Sequence, residues 1–293
     1  KAAAVLLAAA MAVSMMTACG GGAGGGSGVV SGVTYTSNAA AVEGIDANSI
    51  ENETLLTKAD SKYMQFLAKY QTEDKLYQRT EMTGYGTSAG QTATMIEAKN
   101  GNFVYTEVTY QGQTRKSLTE IDGNTMCYYT LLEESGKKAA IKQKSTHSGT
   151  TSPEGGTSGT PSTSNATSAT VKVDGTVYYA EMSRGEQGST TICFKPDSPV
   201  PTYVFEDEGD GNKTTIVYKE VCFGNDKGVC DGVLIGYDVY TLEDIDMTTG
   251  TATLTDEKGG KYTAQYTASG WTVTKDGQDV TSDFQWIINK MFS

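Results

Sequence analysis

One histidine, His147, is all the imidazole in this 293-residue sequence, and its five cysteines include no CxxC pair. Zinc sites draw on closely spaced Cys and His ligands, so no metal site is expected. A Ser-His-Asp or Cys-His catalytic arrangement would have to recruit His147 from a stretch with no apolar period, so a non-enzymatic protein is expected. Cations are also scarce. The 23 Lys and Arg face 35 Asp and Glu, for a formal charge of −12. Nucleic-acid binding requires a basic face to neutralise phosphates, so that partner class is excluded, as is an electrostatic grip on anionic lipid. An acidic, Gly/Thr/Ser-rich exterior serves solubility instead. Long apolar runs are missing as well. The run "AAAVLLAAAMAV" covers residues 2–13, whereas a membrane-spanning helix needs roughly 20 apolar residues.

That run follows Lys1 and leads into small residues, the layout of a secretory signal peptide over residues 1–18. It ends in "MTAC", residues 16–19, which resembles the lipobox of bacterial lipoproteins. The resemblance implies cleavage between Ala18 and Cys19 and a diacylglyceryl group on the Cys19 thiol. It implies no other cofactor. The protein is then held to a membrane by its lipid, at the outer face of the cytoplasmic membrane or at the cell surface of a bacterial envelope. A thiolate is the natural nucleophile for the thioether, and two acyl chains anchor stably where one is marginal. Losing residues 1–18, with one lysine and no acid, takes the formal charge from −12 to −13.

Residues 19–50 read as the lipidated cysteine and a tether. "GGGAGGGSGVVSG" at 20–32 has eight glycines in thirteen residues, a flexible spacer composition. A second low-complexity stretch at 145–170 is 21 parts in 26 Ser, Thr, Gly or Pro and cannot form a core. It either separates two domains or is a loop insertion. The loop is favoured, because the first half has about five strands and no closing helix. Residues 51–293 are therefore taken as one domain.

Two helices are legible. Leu55, Ala59, Tyr63, Phe66, Leu67 and Tyr70 form one apolar stripe, with Asn52 and Glu53 as the expected start. Phe284, Ile287, Ile288 and Met291 form another, capped by Ser282. Between them run roughly a dozen Tyr-, Thr- and Val-rich strands. "ATMIEAK", "NFVYTEVTY", "QTRKSLTEI" and "TMCYYTLLEE" are separated by NG, QG and DG, residues that supply tight hairpin turns. "DGNTMCYY" at 122–129 and "DGTVYYAE" at 174–181 echo each other.

The stretch "GNFVYTEVTYQGQTRKSLTEIDGNTMCYYTLLEESGKKAAI" and its second-half counterpart "DGTVYYAEMSRGEQGSTTICFKPDSPVPTYVFEDEG" share one rhythm. A strand carrying aromatic residues, a short turn, a polar strand, DG and a tyrosine-rich strand follow one another. Over residues 50–225 this resembles the outer-membrane lipoprotein carrier-like (LolA/LppX-like) superfamily; the end of the chain departs from it. The resemblance implies a mainly β, α+β fold. Its curved antiparallel sheet is an open half-barrel, with an N-terminal and a C-terminal helix packed on it. It also implies a hydrophobic ligand, a lipid or acyl chain, held between sheet and helix. The alternative is a cell-surface interaction or structural module of the same fold without a ligand cavity.

Cys222 and Cys230 flank the turn-forming "GNDKG" and are candidates for a disulfide across a hairpin. With Cys127 and Cys193 they otherwise read as buried thiols. "GYGTSAG" at 84–90 has GxGxxxG spacing in a hairpin context and reads as a turn. Glu206, Asp207, Glu208 and Asp210 lack calcium-loop spacing and read as a solvated hairpin tip. The carboxylate pairs Glu133/Glu134 and Asp244/Asp246 would need a cleft to act as acid and base. The 17 tyrosines cover sheet faces or, where exposed, bind partners.

Overall fold

The Gly-containing pairs stand where the chain reverses. In the computed structural model, which describes residues 32–37, 45, 49–84, 90–146, 166–185, 188–207 and 213–292, Gln111 and Gly112 have φ of 51° and 76°. Two successive positive φ values make the turn whose twist matches that of the flanking strands. Such turns produce two antiparallel meanders. Short strands β1 (Thr34–Thr36) and β2 (Glu51–Leu55) and helix α1 (Lys62–Thr72) precede the first. It comprises β3 (Lys75–Thr83), β4 (Thr92–Asn100), β5 (Phe103–Tyr110), β6 (Gln113–Asp122), β7 (Thr125–Glu134) and β8 (Lys137–Thr146). The second comprises β9 (Ala166–Val173), β10 (Thr176–Gly185), β11 (Gly188–Phe194), β12 (Pro201–Asp207) and β13 (Lys213–Phe223).

The two meanders become one sheet because β13 returns antiparallel beside β3, from Thr215↔Thr83 to Phe223↔Leu76, with an irregularity between Tyr218 and Glu220. β1 pairs with the far end of β13, and β2 pairs with β9. The chain then adds β14 (Asp238–Asp246) parallel to β8, followed by β15 (Thr251–Asp256), β16 (Lys261–Thr267), β17 (Gly270–Lys275), β18 (Gln278–Asp279) and helix α2 (Thr281–Phe292). The result is mostly β: an open sheet of 18 strands with two helices among the described residues. The strand count exceeds the dozen expected. β3, β8 and β14 mix charged with apolar residues, and the short β1, β2 and β18 add to the number.

The first helix differs from expectation. Residues 51–55 are strand, with Leu55 82% exposed, and Asn52 has φ +59°. The helix begins at Lys62, with Ser61 as its N-cap accepting from the Met64 N–H at 3.1 Å. Pairing with β9 outweighs the helical spacing of Leu55 and Ala59. α2 spans the expected residues, but Ser282 lies inside its first turn. The Asp279 carboxylate accepts from the Thr281 N–H at 2.9 Å, and the Val280 carbonyl accepts from the Phe284 N–H at 3.2 Å.

Several strands are buried on both faces, as Leu76, Tyr77 and Gln78 in succession demonstrate. On one side, Tyr77, Tyr105, Leu118 and Tyr129 pack under Val229, Val233, Leu234 and Tyr237 of the connection between β13 and β14. On the other, Phe66 of α1 packs with Leu76, Val221 and Phe223. Phe284, Ile287 and Ile288 of α2 pack with Leu132, Ile141, Leu254 and Val273. Burying one such aromatic or aliphatic side chain contributes about 1.5–3 kcal/mol. No hairpin forms around "GNDKG". Cys222 and Cys230 share a core cluster as separate thiols: Thr34 Oγ1 donates to Cys222 Sγ at 3.0 Å, and Cys230 Sγ donates to the Ala98 carbonyl at 3.4 Å.

Candidate functional site

Helix α1 opens on a lysine and has no acid in its first turn, an unfavourable arrangement at the positive end of a helix dipole. Glu181 of β10 supplies the missing charge. Its carboxylate accepts from Ser61 Oγ at 2.6 Å, the Lys62 N–H at 2.5 Å and the Tyr63 N–H at 3.2 Å, and Glu181 is buried. At the other end, Lys99 of β4 donates to the Gln71 carbonyl at 3.1 Å. The helix therefore lies across the sheet from β10 to β4. Its underside is aromatic. The Phe66 ring lies 5.7 Å from Tyr218 and 6.1 Å from each of Phe223 and Tyr70.

The floor beside this aromatic face is polar. Directly opposed residues share a sheet face, so Gln78, Glu97, Thr106, Ser117 and Thr130 form one row across β3 to β7. Thr80 and Thr119 lie on the same face, one row to either side. Five of the eleven buried polar residues among those described belong to this patch: Gln78, Thr80, Glu97, Ser117 and Thr119. The patch is incompletely satisfied. Gln78 Oε1, Thr80 Oγ1 and the Tyr70 hydroxyl have no hydrogen-bond partner. Burial pushes the Glu97 carboxyl up to about 7, and the Lys99 ammonium offsets this only in part. Tyr218, opposite Thr80, is half-buried. Enclosure still raises its phenol well above the ordinary value, with Tyr63, Glu206 and Glu97 adding to the effect. An unsatisfied buried polar group costs about 1–3 kcal/mol, so these groups are either strain or a place for a ligand.

Beside the start of α1 a cleft of about 30 Å³ is lined by Leu56, Ser61, Met64, Glu181, Thr190 and Ile192, among others. An open depression of about 540 Å³ lies at α2, lined by Ser269, Gly270, Trp271, Gln285, Ile288 and Asn289. Among the described residues no group of three or more His, Cys, Asp or Glu has metal-holding geometry. No described helix is long and apolar enough to cross a membrane.

Ala18, Cys19, His147, Glu208 and Asp210 lie outside the described residues, as does most of "GYGTSAG". The carboxylate pairs do not form a cleft. Glu133 and Glu134, adjacent in a strand, point to opposite faces. Glu133 bonds Lys116 at 2.9 Å and the Tyr237 hydroxyl at 2.5 Å, and these two hold its pKa below the ordinary value. Asp246 has its pKa lowered by the Thr249 side chain and by the Thr248 and Thr249 N–H groups, which donate to it in its own turn. Glu97, Gln78, Thr80 and Glu181 escape a sequence reading. The available signal is parity: Gln78 and Thr80 lie between Leu76 and Met82 on one face of β3, and Glu97 follows Met95 on β4.

Compared with protein-family models and with curated proteins, the sequence finds no match in either.

Proposed function

We propose that this is a non-enzymatic lipoprotein of the bacterial envelope, held to the membrane through Cys19, that binds or carries a hydrophobic ligand with a polar end. The ligand's acyl portion lies under α1 and its polar portion along the row from Gln78 to Thr130. The observation that carries this reading is the mismatch beside α1, where its aromatic contact with Leu76, Val221 and Phe223 adjoins the buried Gln78 Oε1 and Thr80 Oγ1, which have no partners. An amphiphile that displaces the helix satisfies both halves of that surface, and mouths of curved sheets commonly hold ligands.

The sheet is read as the curved half-barrel of the superfamily that the sequence resembles. Leu76, Lys99, Val104, Thr119, Tyr128 and Gln143 oppose one another in turn across β3 to β8. Gln143 shares its side of β8 with Ile141, a contact of α2. Both helices then lie on one side, as a half-barrel with covered mouth requires.

Mass spectrometry of the protein extracted from its native membrane tests the reading. The expected result is a co-extracted amphiphile and an N-terminal peptide starting at Cys19 with added diacylglyceryl mass. No amphiphile, together with α1 amide exchange unchanged by added amphiphiles, would refute it. The second reading, a surface interaction module without a ligand cavity, is favoured by the small volume of the cleft at α1, about 30 Å³. It requires that α1 stay closed under the same challenge.

A further inference from the structure

From the polar floor beside α1, we infer that the polar end of the ligand is an organic ammonium, paired with the Glu97 carboxylate. This rests on the reading above that α1 moves aside for an amphiphile. The atoms left without partners are oxygens: Gln78 Oε1 and Thr80 Oγ1 on this floor, and the Tyr70 hydroxyl on α1. Glu97 is directly opposite Gln78 and 5% exposed, and among the described residues no hydrogen-bond donor meets its carboxyl. Gln78 Oε1 and the ionised Glu97 carboxyl only accept, while the two hydroxyls accept or donate, so a head group carrying hydrogen-bond donors and positive charge satisfies the whole set. The surrounding rings suit the same group, because ammonium ions are attracted to the faces of tyrosine and phenylalanine. Phe66, Tyr70 and Tyr218 provide such rings beside the floor.

The lysines of α1 and β4 already have partners. Lys62 lies over the Tyr179 and Phe194 rings, Lys69 pairs with Glu73 at 2.5 Å, and Lys99 donates to the Gln71 carbonyl. A carboxylate head would face Glu97 and the phenols, and the one cation acting on Glu97, Lys99, lies a row away and already donates to the Gln71 carbonyl. Titratable or charged groups near Glu97 are Lys99 on its own strand, Tyr63 and Tyr70 on α1, Tyr218 on β13 with Glu206 acting on it, and exposed Arg115 on β6. Burial raises the Glu97 carboxyl to about 7, so an ammonium should bind better above pH 7 than below it.

Calorimetric titration of the intact protein with decylammonium, decanol and decanoate, each below its micellar range and in 0.3 M salt, is the test. At pH 8.5 decylammonium should bind roughly tenfold or more tightly than decanol, the ratio of one 1.4 kcal/mol interaction. That advantage should vanish at pH 5 and in Glu97→Gln, and persist in Glu257→Gln, which removes an exposed acid. Thr80→Val, which removes one unpaired oxygen without touching charge, should retain the preference. If decanol or decanoate binds as tightly as decylammonium, the ammonium assignment is overturned while ligand binding at α1 stands. If the advantage is the same in Glu97→Gln, the cation is held by surface charge and the assignment fails. If none of the three binds, the ligand-binding reading falls with it.

Discussion

Replacing Glu97 by glutamine should stabilise the protein in a pH-dependent way, and the size of the effect follows from the burial of that carboxyl. In the unfolded chain the group titrates near its ordinary value of 4.5; in the folded protein it is raised to about 7. Between those values the folded state binds the extra proton, so stability falls as pH rises. Below 4.5 both states are protonated and no penalty exists. Above 7 both are ionised and the penalty is complete. At about 1.4 kcal/mol per pKa unit the plateau is roughly 3 kcal/mol. Glutamine cannot ionise, so the variant escapes this loss, although its amide brings a pH-independent cost of about 1–3 kcal/mol if its N–H groups find no acceptor. The diagnostic is therefore the slope. Urea unfolding of wild type and Glu97→Gln from pH 4 to 8.5 should give a stability difference that is flat at the acid end. It should then climb by about 3 kcal/mol in favour of the variant. Thermal melts should move apart by about 6–12 °C over the same interval. Every other titrating group is common to both proteins and cancels. A difference that stays constant with pH, or levels off by pH 5, would refute the buried, unpaired carboxyl.

Glu181→Ala removes the acceptor for three donors at the start of α1. With hydrogen bonds to charge worth about 1.5–3 kcal/mol each and partial solvent rescue, a loss of about 2–4 kcal/mol is expected. Amide exchange should accelerate first in residues 62–66, and exchange confined to other segments would contradict the tether. Gly84 has φ +84°, and a Cβ there would strike the Lys213 carbonyl oxygen, whereas Gly123 at φ +56° faces open space. Gly123→Ala should cost about 1–2 kcal/mol from backbone strain alone, with Gly84→Ala clearly worse in denaturant unfolding; equal losses would contradict the close β3–β13 approach. Burial raises the Cys193 thiol to about 12 and the Cys230 thiol to about 11. Alkylation at pH 8 should therefore leave Cys193 and Cys230 unmodified until the protein is unfolded, and enclosure alone should protect the buried Cys127 and Cys222. A Cys222–Cys230 bridge formed in the envelope would appear instead as two positions that stay unlabelled until reduced.

Local features of the fold are legible because they are written in adjacent residues. The α2 stripe of Phe284, Ile287, Ile288 and Met291 fixes its buried face, and all four pack on one cluster. Gln111-Gly112 specifies a reversal because both positions adopt positive φ. What adjacency does not contain is partnership. The β13–β3 seam joins residues more than 100 positions apart, and nothing in "KLYQRTEMT" says that its neighbour will be "KTTIVYKEVCF". The start of α1 fails for the same reason. Leu55 and Ala59 keep helical spacing with Tyr63, but the charge that makes Lys62 a tolerable first residue comes from Glu181, 120 positions after Ser61.

The polar floor is hidden for a related reason. Strand alternation tells which residues share a face and leaves open what covers that face. Glu97 in "ATMIEAK" and Gln78 in "KLYQRTEMT" look like solvent-facing members of half-exposed strands, and they become costly only because the face they share is enclosed. Local propensity and pattern usually agree with the fold, and conflicts between levels tend to mark functional sites. The conflict here is concentrated. α1 meets an apolar surface at Leu76, Val221 and Phe223, while the adjoining Gln78, Thr80 and Glu97 have no hydrogen-bonding match on the helix. A core selected only for stability would replace those three with Val, Leu or Ile at no loss of contact. Their presence under a helix tethered chiefly through one end is physically economical if the closed state is one of two states the protein uses.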